Sequence, residues 1–72
     1  MNDDELRMML LLVGFTETPL TYIDYKWVLG RDSLLVGSNK HFNGRYDTYE
    51  LGAGSNTFET ADAAMQYIER YL

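Results

Sequence analysis

Cysteine is absent from this 72-residue chain, so neither a disulfide nor a thiolate metal site can form. The longest apolar run, residues 8–13, has six residues, whereas a membrane-spanning helix needs about 20. Basic residues are also scarce, six against eleven acids, and the net charge of −5 disfavours binding to phosphate backbones. The acidic residues 3–5 differ from the basic start of a signal peptide, and we therefore expect a cytoplasmic protein with no membrane contact.

The residues that are present favour a folded unit. Hydrophobic residues make up 46% of the chain and aromatic residues 14%, which is too rich for a disordered tail. We expect one domain over residues 1–72, close to the lower size limit for a single stable core. A domain this small without disulfides must pack well or gain stability from a partner, so a homodimer is one expectation.

Two helices are predicted from capping residues and apolar spacing. Asn2 is a good N-cap, and Glu5 three residues later completes a capping box. Thr60 is the predicted N-cap of the second helix. At helical spacing, the first helix buries Leu6, Met9, Leu10 and Val13, and the second buries Ala61, Ala64, Met65, Ile68 and Leu72.

Three strands are predicted between the helices. Residues 20–29 alternate in polarity, a second strand begins at Leu34, and residues 45–51 form a third after a type I′ turn at Asn43-Gly44. This register pairs Trp27 with Val36, Val36 with Leu51, and Lys40 with Asp47. The predicted core face carries Ile23, Tyr25, Trp27, Leu29, Leu34, Val36, Tyr49 and Leu51.

Residues 52–56 are predicted to be a flexible connector, because glycine, serine and asparagine dominate them. The expected fold is therefore α+β: a two-layer α-β-β-β-α domain whose three-stranded antiparallel sheet carries both helices on one face.

The search for catalytic or ligand-binding groups predicts no enzyme. In the predicted register Ser38 and Asp47 share one face and His41 lies on the other, so no nucleophile–base–orienter chain forms. One histidine and scattered carboxylates do not predict a metal site. The segment from Gly52 lacks the third glycine of a dinucleotide fingerprint and has no following βαβ strand, so no cofactor is predicted.

A protein-binding surface is the remaining prediction. The second sheet face would carry mixed aromatic, aliphatic and polar residues with no element left to cover it, which is typical of recognition surfaces. Residues 46–69 contain five acids and no base, which suits a partner with a basic surface. The predicted partner-binding residues are Tyr22, Asp24, Val28, Leu35, Tyr46, Asp47, Glu50, Glu59, Asp62 and Glu69.

Two alternatives stay open beside this prediction. The open sheet face could join two copies of the chain. The basic and aromatic hairpin tip at residues 39–46 could instead bind nucleic acid weakly by phosphate contact and stacking, through Lys40, His41, Phe42 and Arg45.

Three resemblances bear on the expected function. The α-β-β-β-α order is similar to that of double-stranded RNA-binding domains, but their second helix opens with a lysine cluster, whereas here Asp62 is the charged residue. Residues 57–64 resemble the strand-to-helix junction of AP2-type DNA-binding domains, although the basic strands of that family are missing. In size, acidity and expected topology the chain also resembles small phage proteins of the anti-CRISPR type. That resemblance implies an inhibitor that occupies the basic nucleic-acid-binding site of a defence nuclease.

Overall fold

The computed structural model describes residues 1–18 and 22–72. Helix α1 spans Asp3–Leu12 and helix α2 spans Ala61–Ile68, followed by a short 3-10 helix at Glu69–Tyr71. Five strands accompany them: β1 (Thr16–Glu17), β2 (Tyr25–Arg31), β3 (Leu34–Asn39), β4 (Tyr46–Glu50) and β5 (Gly54–Phe58). No helix within the described residues has both the length and the apolarity needed to cross a lipid bilayer.

The prediction of a three-stranded sheet is wrong, because the sheet has five antiparallel strands in the order β1-β2-β3-β4-β5. The α+β class itself is confirmed. β1 is only two residues long and pairs with Leu29 and Gly30, so it carries too little sequence pattern to be recognised. β5 covers most of the segment predicted to be a connector. Its glycine, serine and asparagine have weak strand preference, and pairing with β4 along its whole length makes it a strand.

Both helix starts are confirmed. The Asn2 side chain accepts a hydrogen bond from the Glu5 backbone N–H at 2.8 Å, and the Glu5 carboxylate accepts one from the Asn2 N–H at 2.9 Å. The Thr60 hydroxyl accepts from the Ala63 N–H at 3.1 Å. These bonds satisfy backbone donors that no helical carbonyl can reach.

The predicted register between β2 and β3 is shifted by two residues. The chain turns tightly at Asp32-Ser33, so Leu29 lies opposite Val36 and Trp27 lies opposite Ser38. A shift of two preserves the side-chain parity, and Leu29 and Val36 keep the core positions predicted for them. Leu20, the residue near which this strand was predicted to start, lies outside the described residues.

At two places, a bulge in β2 and the turn before β4, the side chains lie on the opposite face of the sheet from the one predicted. Lys26 is an extra residue in β2, between the pairs Tyr25–Asn39 and Trp27–Ser38, and this bulge moves Tyr25 to the face opposite Trp27. Ile23, also predicted to be in the core, precedes the strand and is 80% exposed.

The type I′ turn at Asn43-Gly44 does not form, since Gly44 has a positive φ of 79° but Asn43 does not. The chain instead makes a longer loop, started by the Asn39 side chain, which accepts hydrogen bonds from the backbone N–H groups of His41 and Phe42. β4 is therefore shifted by three residues from its predicted position, and Val36 lies opposite Thr48 rather than Leu51. An odd shift exchanges the two faces of a strand.

Tyr46, predicted on the open face, is consequently in the core with 1% exposure, whereas Tyr49 and Leu51, predicted in the core, are 46% and 72% exposed. Both helices cover the face of Val36. The buried apolar cluster contains Leu6, Leu10, Phe15, Leu29, Leu34, Val36, Tyr46, Ala61, Ala64, Met65 and Ile68, with Val13, Trp27 and Phe58 packed against it.

Candidate functional site on the open sheet face

The sheet face that the helices leave uncovered carries a tyrosine-lined depression. It has a volume of about 270 Å³. Its lining comes from four strands and the segment before β2: Tyr22, Tyr25, Val28, Leu35, Gly37, Asp47, Thr48, Tyr49 and Ser55.

Gly37 makes room for the central ring of this depression. A Cβ atom at residue 37 would lie 2.7 Å from Cδ1 of Tyr25 and 2.9 Å from its Cε1, closer than side-chain carbons approach. The tyrosine ring therefore lies directly over the backbone of β3. The ring of Tyr22 meets that of Tyr25 edge-on, at 86° and 6.4 Å between centroids.

Asp47 is the acidic group of the depression, and both of its oxygens are engaged. One accepts a hydrogen bond from the Tyr25 hydroxyl at 2.6 Å, and the other accepts from the Thr57 hydroxyl at 2.7 Å. The bond to Asp47, together with partial burial, raises the pKa of Tyr25 to about 12. The two hydrogen bonds hold the Asp47 carboxylate in place. Each of its oxygens has a further lone pair, so the carboxylate can still accept a hydrogen bond from a ligand.

A second depression, of about 310 Å³, shares Tyr22, Tyr25 and Val28 with the first. Its charged lining includes Arg7 and Glu17, which form an ion pair with each other. It is bordered by Thr18 and Tyr22, between which the chain is not described. We therefore place the candidate site in the depression that contains Asp47.

The ten predicted partner-binding residues are only partly brought together. Tyr22, Val28, Leu35 and Asp47 line the depression. The prediction that Tyr46 lies on the open face is wrong. The register shift of β4 places Tyr46 on the buried face, where its ring centroid lies 6.2 Å from that of Trp27. Asp24 lies in the exposed turn before β2, where its carboxylate is 3.0 Å from Nε2 of His41.

The predicted acidic surface is divided by the sheet. Glu50 accepts a hydrogen bond from the Tyr71 hydroxyl at 2.6 Å, which raises the pKa of that tyrosine well above its ordinary value. Glu59, Asp62 and Glu69 are exposed at the start of α2, in its first turn and in the 3-10 helix, in the layer on the other side of the sheet from Asp47. No single surface combines all five acids.

Sequence reasoning missed three residues that line the depression, namely Tyr25, Tyr49 and Ser55, and it also missed Thr57, which donates a hydrogen bond to Asp47. The alternation of residues 20–29 gave no sign of the bulge at Lys26. The role of Thr57 could not be predicted, because most of its strand was predicted to be a connector. Gly37 was the one available signal, since a glycine inside a strand often marks the close approach of another group.

The prediction that Ser38 and Asp47 share one face is wrong, and His41 lies in the loop after β3 rather than on a face of the sheet. Ser38 points to the helix side, where its hydroxyl donates to Asp3, while Asp47 lies on the open face. Lys40 does not face Asp47 either, and at the same tip the guanidinium of Arg45 lies 5.1 Å above the Phe42 ring. Within residues 1–18 and 22–72, no three histidine, aspartate or glutamate side chains are grouped closely enough to hold a metal ion.

Comparisons with protein-family models, with curated proteins and with solved structures give no match for this chain.

Proposed function

We propose that the protein is a non-catalytic binding module whose open sheet face holds a basic segment of a partner protein. The observation that carries this proposal is the depression itself, which combines one exposed and two half-buried tyrosine rings and aliphatic side chains with one fixed carboxylate, Asp47. Tyrosine faces attract lysine and arginine side chains by cation–π interaction, and Val28 and Leu35 offer apolar contacts to their stems.

Overall charge supports the same kind of partner. The net charge of −5 attracts basic surfaces over a distance and raises the association rate, while the aromatic groups supply affinity at close range. The narrower proposal is an inhibitor that occupies the basic nucleic-acid-binding site of its partner, as some small phage proteins of the anti-CRISPR type do. In that form Asp47 and its neighbours on the open face, rather than the acids of α2, would enter the partner's site.

The test is an NMR titration with two matched peptides. One peptide alternates lysine with leucine, and the other has glutamate in place of each lysine. We expect the basic peptide alone to shift the backbone signals of Leu35, Asp47 and Tyr49, with an affinity that falls as salt is added. Equal response to both peptides, or shifts confined to the helices, would contradict the proposal.

Matched variants locate the binding surface. Tyr49→Ala removes an exposed ring of the depression, and we expect a loss of affinity of about tenfold, the value of a cation–π contact of roughly 1–2 kcal/mol. Leu12→Ala removes an exposed apolar side chain of α1 and should leave affinity unchanged. A second copy of the chain is the alternative occupant of this face, and it would appear as the same shifts on concentrating the protein without peptide.

A further inference from the structure

β5 is the terminal strand of the sheet. It pairs with β4 on one side, and no described residue pairs with it on the other. Residues 54–57 are exposed. Its outward backbone N–H and C=O groups can therefore bond either to water or to another strand.

This edge lacks the features by which proteins usually prevent strand pairing. Lysine, other charged residues and proline serve that purpose in natural sheets, and residues 51–58 contain none of them. The opposite edge is different, because β1 has only two residues and its Glu17 forms an ion pair with Arg7. Among the described residues, β5 is thus the one long, neutral sheet edge.

We propose that β5 pairs antiparallel with β5 of a second copy, around a two-fold axis at Asn56. Asn56 is the central residue of β5, and only an axis at this residue pairs all five residues of the strand with residues of the second strand. Asn56 faces its own copy, Ser55 faces Thr57, and Gly54 faces Phe58. Each pair is favourable: two amides can bond to each other, two hydroxyl residues form a stabilising cross-strand pair, and an aromatic ring covers a glycine.

Each copy carries a net charge of −5, but no charged side chain lies within the proposed contact itself. β5 itself is neutral, so pairing sets no carboxylate directly opposite another within the strand. The nearest acid on the neighbouring strand, Asp47, is already bonded to Thr57. A two-fold axis perpendicular to the sheet also keeps both open faces on the same side, so the dimer would present two tyrosine-lined depressions together.

Asn56 and Phe58 both contact Tyr67 within one copy, and the proposed pairing would add the second copy to this cluster. The Asn56 amide donates to the Tyr67 hydroxyl at 3.2 Å, and the Tyr67 ring lies 5.1 Å from that of Phe58. The partner's glycine at position 54 would then lie against this aromatic pair. The contact is small, and we expect a dimer that depends on protein concentration rather than a permanent one.

Cysteine scanning tests the register directly, because the natural chain has no cysteine. In the proposed dimer Asn56→Cys sets two thiols opposite each other at about 4.5–5.5 Å between Cα atoms, within the range of a disulfide. Ser55→Cys faces Thr57 of the copy and lies about 8 Å from its own equivalent, which is too far.

We therefore expect mild oxidation to cross-link Asn56→Cys to itself, and Ser55→Cys only when it is mixed with Thr57→Cys. Self-cross-linking of Ser55→Cys as efficient as that of Asn56→Cys, or no cross-linking in any of these samples, would overturn the proposal.

Sedimentation equilibrium supplies an independent measurement. Asn56→Lys sets two ammonium groups opposite each other, whereas Asn56→Thr gives a favourable threonine pair and loses the same bond to Tyr67. The apparent mass of the wild type and of Asn56→Thr should rise toward twice the monomer mass with concentration, and that of Asn56→Lys should not. A wild type that stays monomeric at millimolar concentration refutes the dimer, and the cysteine variants decide the matter if Asn56→Lys fails to fold. Peptide binding at the open face can succeed or fail separately from either result.

Discussion

Asp3 joins the start of α1 to the helix side of the sheet. Its carboxylate accepts a hydrogen bond from the Trp27 indole at 3.0 Å and another from the Ser38 hydroxyl. Burial alone would raise the pKa of Asp3, but these bonds, one from Tyr46 and the charge of Lys26 outweigh it and hold the pKa below its ordinary value. Burial and the same carboxylate raise the pKa of Tyr46 to about 12.

Asp3→Asn is expected to lower the free energy of unfolding by about 1.5–3 kcal/mol, because the two donors bond to different oxygens of Asp3. The amide replaces one of these oxygens with an NH₂ group and removes the negative charge that strengthens both bonds. Asp4→Asn is the matched control. Asp4 is exposed in the same helical turn, and its loss should cost only about 0.3–1 kcal/mol of favourable interaction with the helix dipole. Urea unfolding followed by the fluorescence of Trp27, the single tryptophan, measures both.

The effect of Asp3→Asn depends on pH in a defined direction. Folding lowers the pKa of Asp3, so its stabilising contribution is fully present above the unfolded-state pKa of about 4 and disappears as pH falls through the lower folded-state value. The difference in stability between wild type and Asp3→Asn should therefore narrow below pH 4. A difference that stays constant down to pH 2 would contradict this account.

At the scale of elements, the helix caps were the part of the fold most readable from sequence, because a cap is a local interaction within four residues. Thr60→Ala removes the bond from the Ala63 N–H and should cost about 1 kcal/mol of stability. Thr60→Ser keeps the hydroxyl and should cost only a few tenths. Equal costs for the two variants, measured by urea unfolding, would show that the cap contributes nothing.

Strand registers were less predictable, because they depend on turns whose length the sequence leaves ambiguous. Asn43-Gly44 is typical of a two-residue turn, but Asn39 also starts a turn with its side chain, and the longer loop forms. Tyr46 and Tyr49 are both tyrosines of opposite parity, so hydrophobicity could not decide which face of β4 is buried. Val28 and Leu35 line the open face as predicted, because they lie beyond the bulge in strands that kept their predicted parity. Tyr22 also lines the depression, although it precedes both the bulge and the strand, so the alternation of β2 does not account for its position.

At the scale of the whole molecule, replacing either of two leucines with alanine tests which face of the sheet is buried. Leu29 is fully buried between the sheet and the helices, whereas Leu51, predicted on the same face, is largely exposed. Leu29→Ala should lower the free energy of unfolding by about 2–5 kcal/mol through lost burial and a cavity. Leu51→Ala should change it by less than about 0.5 kcal/mol. Comparable losses of stability from the two variants would contradict the observed register and support the predicted one, in which Val36 lies opposite Leu51.

The extra residue at Lys26 lets one short strand furnish aromatic rings to two separate environments. Trp27 belongs to the packed interior and Tyr25 to the outer surface, although the two residues have the same parity and would share a side in a regular strand. Mutations can therefore reshape the exterior ring without disturbing the interior one, and the reverse. In so small a domain, that separation leaves the exposed side free to diverge while the hidden side keeps the protein folded.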